Sequence, residues 1–234
     1  MKYKTQAFTL IELMVVVMIL ALLMTILIPT VGPMLEGIQK ANTKARIVSL
    51  QAGIDKFQID RQEYPGQMDM DEWAPVEDTG GTASTTETYT GSQVLAAHMF
   101  DYYDDDAENP YHKIDDDNPE PKSSYGQYEK GILDVFSDAD SNEYPNCMAD
   151  TFSSPKPIVY YPSGSGAGLE QFAYALNEGL TGIGRNMKFD KFINDKTLRM
   201  PTSQQVPFKD GLYLLISPGP DGSFFNEDDI TNWR

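Results

Sequence analysis

Residues 8–29 read FTLIELMVVVMILALLMTILIP, and the 21 residues up to Ile28 are largely apolar and contain one charged residue, Glu12. An α-helix of this length is about 31 Å long, which matches the roughly 30 Å hydrocarbon core of a bilayer. An ionisable side chain inside such a helix costs on the order of 3 kcal/mol, so its presence indicates a function. The stretch therefore predicts a membrane-spanning helix over residues 8–28 in which Glu12 has a specific role.

The residues before this helix favour one orientation in the membrane. Residues 1–7 read MKYKTQA, and their only charges are those of Lys2 and Lys4. A basic segment before an apolar run keeps that end in the cytoplasm, so the rest of the chain is exported. An ordinary signal peptide has an apolar run of about 7–15 residues followed by a small-residue cleavage site. Here the apolar run is longer, and no such site follows it. A plain membrane anchor explains the length of the run but not the position of Glu12.

The stretch FTLIEL after a short basic segment resembles the N-terminus of type IV pilins and of the pseudopilins of type II secretion. The resemblance implies that a prepilin peptidase removes residues 1–7 by cutting between Ala7 and Phe8, and that Phe8 is then methylated. The family usually has Gly before the cut, where this chain has Ala7. The resemblance also implies that Glu12 pairs with the Phe8 amine of a neighbouring subunit during assembly.

Composition excludes several classes of function. The 234 residues carry a net charge of −17, which argues against nucleic acid as a partner because phosphate binding needs basic surfaces. Cys147 is the only cysteine, so no internal disulfide can form, and the acidic excess makes a cation the expected substitute. The two histidines, His98 and His112, belong to no recognisable catalytic or zinc-binding pattern. We therefore predict no catalytic residues, and a structural protein rather than an enzyme.

Helical periodicity resumes after the apolar run. Apolar residues at steps of three and four predict an amphipathic continuation of the helix over 29–62, packed on a globular head formed by residues 63–234. Pro29, with Gly32 and Pro33, predicts a melted or bent segment where the helix leaves the membrane. Residues 64–66, Tyr-Pro-Gly, predict the end of the helix.

The sequence of the head predicts both helices and strands, with a large insertion over residues 67–150. Within the insertion we expect a helix over 92–103 with Ser92 as its N-cap, together with solvated loops at three acidic runs. The third run, 138–143, does not match an EF-hand loop. Strands are predicted where β-branched and aromatic residues cluster. The expected fold is α+β, with these strands in a small antiparallel sheet: Pro157–Tyr161, Gln171–Leu176 and Gly211–Ser217.

The C-terminal residues 217–234 read SPGPDGSFFNEDDITNWR, a turn followed by a cluster of acids. Calcium takes six to eight oxygen ligands from carboxylates and backbone carbonyls, and such a loop offers both. The stretch also resembles the end of major pseudopilins of type II secretion, whose S-x-G-x-D-G turn holds a Ca²⁺ ion. The resemblance implies Asp221 and Asp229 as side-chain ligands and Asp228 or Glu227 as a third acid. Carbonyl ligands would come from the neighbourhood of Ser217, Gly219 or Phe224.

Together these features predict a structural subunit of a type II secretion pseudopilus, which helps to export folded proteins across the outer membrane. The expected partners are further copies of the chain, minor pseudopilins, the inner-membrane assembly platform and the prepilin peptidase. The subunit would wait in the inner membrane with its head in the periplasm, and the filament would lie in the periplasm or at the cell surface. Two alternatives remain: a type IV pilus subunit for adhesion or motility, and a membrane-anchored Ca²⁺-binding protein that does not polymerise.

Overall fold

The computed structural model describes residues 10–67, 89–100, 125–126, 131–138, 141–164, 166, 168–182, 187–198 and 205–233. Contacts between Cα atoms divide the chain into two units, Met1–Gln39 and Lys40–Arg234. The predicted leader and the acidic runs at 104–106 and 115–117 lie outside the described residues.

Helix α1, Leu10–Arg61, continues through Pro29 and Pro33 without interruption. The prediction of a melted segment around these prolines is therefore wrong. Each proline removes one backbone donor, whereas a break would leave several backbone groups unpaired among apolar side chains. Continuing the helix is the less costly solution in such surroundings.

Within the second unit, α1 buries one face in the head. Ile47, Leu50, Ile54 and Phe57 follow one another at steps of three or four residues, and each is at most 5% exposed. This spacing places them in one stripe along the helix, as the predicted amphipathic pattern requires. The helix ends at Arg61, ahead of the Tyr-Pro-Gly segment.

Helix α2, Gly91–Phe100, lies in the core of the head. Its residues are buried except for His98, which is partly exposed. The predicted N-cap, Ser92, is wrong, because Ser92 lies inside the helix and its hydroxyl accepts a bond from the Met148 N–H at 2.9 Å. The cap is Thr90: its hydroxyl accepts from the Gln93 N–H at 3.3 Å, and the Gln93 side chain accepts from the Thr90 N–H at 3.0 Å. This reciprocal pair is a capping box.

A hairpin lies where the sequence predicted a solvated acidic loop. Strand β1, Leu133–Ser137, pairs antiparallel with β2, Glu143–Met148. The connection is organised by Asp138, whose carboxylate accepts from the Asn142 N–H at 2.9 Å and from the Tyr144 hydroxyl at 3.0 Å. The acid is a turn residue here, which explains how a polar run can join two strands.

The main sheet has three antiparallel strands in the order β3-β4-β5: Val159–Pro162, Tyr213–Ser217 and Ile230–Thr231. Two of the predicted strands correspond to β3 and β4. The third, Gln171–Leu176, is wrong, because that segment forms 3-10 turns at Gly168–Gln171 and Tyr174–Asn177. There the Gln171 side chain bonds the backbone of Gly168 and Gly211, which holds the chain in a turn. Two short helices follow these turns: α3, Glu178–Thr181, and α4, Met187–Ile193.

Both faces of this sheet are covered. Tyr160 and Leu215 point to one side and join the core that α1 and α2 complete. Tyr161, Leu214 and Ile216 point to the other side, where they pack against aromatic residues of α4 and of the C-terminal loop. Alternate side chains of a strand face opposite sides, so each strand serves both cores. The fold is α+β, as predicted.

We expect Thr90→Val to lower the free energy of unfolding by about 1–2 kcal/mol, because it keeps the shape of the side chain but removes the N-cap oxygen. Thr90→Ser keeps the hydroxyl and is the matched control. Urea denaturation of the full chain in detergent, followed by fluorescence, measures both. Equal stability of the two variants would contradict the capping role.

Candidate functional site

The N-terminal candidate site is only partly described. Ala7 and Phe8, the predicted cleavage and methylation residues, lie outside the described residues. Glu12 lies in the first turn of α1 and is exposed.

The first unit presents an apolar surface along its described length. Large apolar side chains from Leu10 to Ile38 are between 47% and 77% exposed. Exposed apolar patches of this extent mark contacts with a membrane or with another protein. This helix is long and apolar enough to cross a membrane by length and composition.

Two threonine hydroxyls within this segment are satisfied by the helix itself. The Thr25 hydroxyl donates to the Ala21 carbonyl at 2.8 Å, and the Thr30 hydroxyl donates to the Leu27 carbonyl at 2.8 Å. Such bonds matter in hydrocarbon, where no water is available to pair with a hydroxyl. The segment is therefore suited to a bilayer and to a packed bundle of helices.

The second candidate site is the C-terminal loop, residues 218–229, which joins β4 to β5. Asp221 stabilises its first turn: one carboxylate oxygen accepts from the Ser223 N–H at 2.7 Å, and the other accepts from the Asn226 side-chain amide at 2.9 Å. Gly219 has φ +69°, and a Cβ there would collide with the Asp228 carbonyl and lie 3.1 Å from an Asp228 carboxylate oxygen. The two arms of the loop therefore meet closely at Gly219.

Asp229 organises the second half of the loop. It is 6% exposed, and its carboxylate accepts from the Phe225 N–H at 2.8 Å and from the Asn226 N–H at 3.3 Å. These bonds hold Phe225 in the left-handed region, with φ 67°. The pKa of Asp229 is raised to about 7: burial has the largest effect, the two backbone hydrogen bonds oppose it, and the charges of Asp228 and Asp221 add to it. The negative charge of the Asp229 carboxylate is therefore only partly balanced by its hydrogen bonds.

The four acids predicted as metal ligands lie in this loop, whereas Ser217 is the last residue of β4. Within the described part of the chain, no group of three His, Cys, Asp or Glu side chains has the arrangement of a metal site. Glu227 is exposed. Ser217 is fully buried, and its hydroxyl donates to Asp150 at 3.0 Å. A cation-binding role for the loop therefore stays a prediction.

The chemistry of the loop nevertheless fits a hard cation. Asp221, Asp228 and Asp229 supply carboxylate oxygens, which calcium prefers. A cation between them would relieve the mutual repulsion that contributes to the raised pKa of Asp229. Binding through Asp221 or Asp229 would have to share or exchange the hydrogen bonds that these carboxylates now accept.

Sequence reasoning missed two residues that shape this loop. Asp150 is 2% exposed, and besides Ser217 it accepts from the Lys156 N–H at 3.0 Å. Burial raises its pKa, whereas its hydrogen bonds and the charge of Arg46 lower it. Asn226 joins the two acidic parts of the loop, since its side chain donates to Asp221 and accepts from the Asp228 N–H at 3.1 Å. An Asn directly before an acidic run is a turn signal, but nothing local marks Asp150.

Comparison with known proteins agrees with these features. Residues 2–28 match the family model described as the prokaryotic N-terminal methylation motif. The chain is similar to the type II secretion system core protein G of Pectobacterium carotovorum subsp. carotovorum, with 33% identity over 63 residues. The matched segment covers 27% of this chain and 40% of that protein, so it spans less than half the length of the relative.

No solved structure matches the chain significantly. The assignment therefore depends on the N-terminal motif, the similarity to protein G and the long apolar helix at the start of the fold. These observations support a pseudopilin-like protein.

Proposed function

We propose that the chain is a structural subunit of a type II secretion pseudopilus that polymerises through its N-terminal helix. The observation that supports this most strongly is the exposed apolar surface from Leu10 to Ile38 on a helix that begins with a methylation motif. The filament would help to export folded proteins across the outer membrane. Its partners would be further copies of the chain, minor pseudopilins, the inner-membrane assembly platform and the prepilin peptidase.

The apolar area of this helix has to be kept out of water both before and after assembly. Removing apolar surface from water lowers the free energy by about 25 cal/mol per Å². The large apolar side chains from Leu10 to Ile38 are mostly exposed. Before assembly the bilayer would cover them, with the head in the periplasm. In the filament, helices of other copies would replace the lipid.

Glu12 would set the register of neighbouring helices. An acid and an amine 4 Å apart attract each other by about 4 kcal/mol at an effective dielectric constant near 20. The cost of removing the two charges from water offsets much of this attraction. In a misaligned pair of helices, the Glu12 carboxylate has the same desolvation cost but no amine to attract it. The pair with the Phe8 amine of a neighbour would therefore select one alignment rather than add much stability.

The C-terminal loop would bind one Ca²⁺ ion through Asp221 and Asp229, with Asp228 or Glu227 as the third acid and a carbonyl near Ser217. The proposal is supported by the oxygen-rich loop and by the raised pKa of Asp229. The ion would stabilise a head in which the lone Cys147 is a free thiol.

The first prediction concerns maturation. Mass spectrometry of the protein from its native host should find a chain that begins at a methylated Phe8, because the prepilin motif places the cut after Ala7. Ala7→Gly should be processed at least as completely, whereas Ala7→Arg should stay uncut because the family has a small residue at this position. A mature chain that begins at Met1 or after Ile28 would contradict the proposal.

The second prediction concerns Glu12. Glu12→Leu should leave the protein level unchanged but reduce sheared filaments at least about tenfold, because the register-setting pair is lost. Asp60→Leu removes another exposed acid of α1, outside the apolar surface Leu10–Ile38, and is the matched control. Immunoblots of sheared and cellular fractions measure the yield. Normal filament yield from Glu12→Leu would refute the role of this residue.

The third prediction concerns Ca²⁺. At about ten times a Kd of 10⁻⁴–10⁻³ M, binding adds about 1.4 kcal/mol to the free energy of unfolding. The Tm of the full chain in detergent should then rise by about 3–6 °C over its value in chelator. Asp221→Ala should abolish this rise because it removes a ligand.

Asp138→Ala is the matched control for this experiment. Asp138 also accepts bonds from a nearby Asn, but it lies in the β1–β2 hairpin. Its loss should lower the Tm and leave the Ca²⁺-dependent rise intact. If Ca²⁺ and chelator give the same Tm for the wild-type chain, the loop has no structural Ca²⁺ site.

A further inference from the structure

The strand that follows the C-terminal loop is very short, and a side chain extends it. Strand β5 has only two residues, Ile230–Thr231, which pair with Ser217 and Ile216 of β4. Tyr213 and Leu215, further along β4, are at most 4% exposed, so their backbone groups on this side need partners inside the protein.

Asn232 supplies those partners. Its backbone N–H donates to the Leu215 carbonyl at 3.2 Å. Its side-chain oxygen accepts from the Leu215 N–H at 3.1 Å, and its side-chain N–H donates to the Tyr213 carbonyl at 3.1 Å. The side-chain amide thus offers one donor and one acceptor, as a peptide unit does, and continues the ladder where β5 ends.

The same segment is tied to α1 from the other side. The Lys44 ammonium donates to the Thr231 carbonyl at 2.9 Å, and the Gln51 side chain donates to the Asn232 carbonyl at 3.4 Å. Residues seven apart lie on the same face of a helix, two turns from each other. Both bonds end on backbone carbonyls, whose positions depend on how residues 231 and 232 are held.

The beginning of the loop is connected to the same part of α1. Ser217 donates to Asp150, and the Asp150 carbonyl accepts from Arg46 at 3.2 Å. The next residue, Thr151, donates its backbone N–H to the Thr43 hydroxyl at 3.2 Å. Residues 43–51 of α1 therefore hold the segments at both ends of loop 218–229.

We infer that Asn232 is a positioning residue that couples loop 218–229 to helix α1. By fixing the backbone of residues 231 and 232 against β4, it places their carbonyls where Lys44 and Gln51 can reach them. Coupling between two sites is reciprocal, so anything that orders the loop stabilises α1 at residues 43–51, and packing that fixes α1 there orders the loop. The coupling requires no bound ion and does not depend on the Ca²⁺ proposal.

A double-mutant cycle tests this inference in the full chain in detergent. Lys44→Met keeps most of the side chain but removes the bond to Thr231, and should raise the unfolding equilibrium constant about fivefold. In the Asn232→Ala background the same change should have less than about a twofold effect, because the Thr231 carbonyl is no longer held in place. Other contacts of Lys44 cancel in the cycle. An equal effect in both backgrounds would overturn the inference.

Asn177→Ala provides the matched background. Asn177 is fully buried, and its side chain donates to the Tyr160 carbonyl of β3 at 2.8 Å and accepts from the Ser92 N–H of α2 at 3.4 Å. Here Lys44→Met should keep its fivefold effect. If the effect shrinks in this background as well, general weakening of the head accounts for it and the inference fails.

Hydrogen exchange on Asn232→Asp tests the same inference without a deletion of the side chain. This variant keeps an acceptor for the Leu215 N–H and loses the donor to the Tyr213 carbonyl. Exchange should accelerate about tenfold over residues 218–231 and 44–51, and less than about twofold over 91–100. A change confined to residues 213–217 and 230–232, or spread evenly over the head, would contradict the coupling.

Discussion

The apolar side chains between Leu10 and Ile38 impose the constraint from which the account of this protein begins. They are exposed along their length in a helix that continues into the head as α1. Water does not tolerate such a surface, so lipid or other helices must cover it. The proposed membrane storage and helix-to-helix assembly are two ways to meet this one requirement, and the same surface would serve both.

The head meets a different constraint, because it has to fix a long acidic chain without a disulfide. The main sheet does so by burying both faces, one against α1 and α2 and the other against an aromatic cluster. Phe225 carries the C-terminal loop into that cluster, with its ring 5.2 Å from that of Phe189. Hydrogen bonds to the side chains of Asp150, Asp229 and Asn232 then fix the conformation of the loop. These buried polar groups supply a constraint that a disulfide supplies in other proteins.

Features encoded by local patterns could be predicted from the sequence. The apolar run, the end of α1, two of the three predicted strands and the α+β class follow from periodicity and from turn residues.

Features that depend on distant partners could not be predicted in this way. Gln171 forms turns instead of a strand because its side chain bonds the backbone of Gly211, which is distant in the sequence. The β1–β2 hairpin was not predicted for a local reason: Asp138 bonds Asn142 in the turn, and the polarity of this run alone indicates only a solvated loop. Thr90 and Gln93 match the capping-box pattern, whereas the predicted N-cap, Ser92, lies two residues further along the chain. That the acids of the C-terminal loop bind one ion stays a prediction, and two of these acids, Asp221 and Asp229, accept hydrogen bonds from the loop's own backbone.

Cryo-electron microscopy of filaments sheared from the native host tests the central claim most directly. The account predicts a helical polymer in which residues 10–38 lie at the axis and are buried against the same residues of other copies. A chain that is found only as a membrane-anchored monomer, or a filament in which this segment remains exposed, would contradict it.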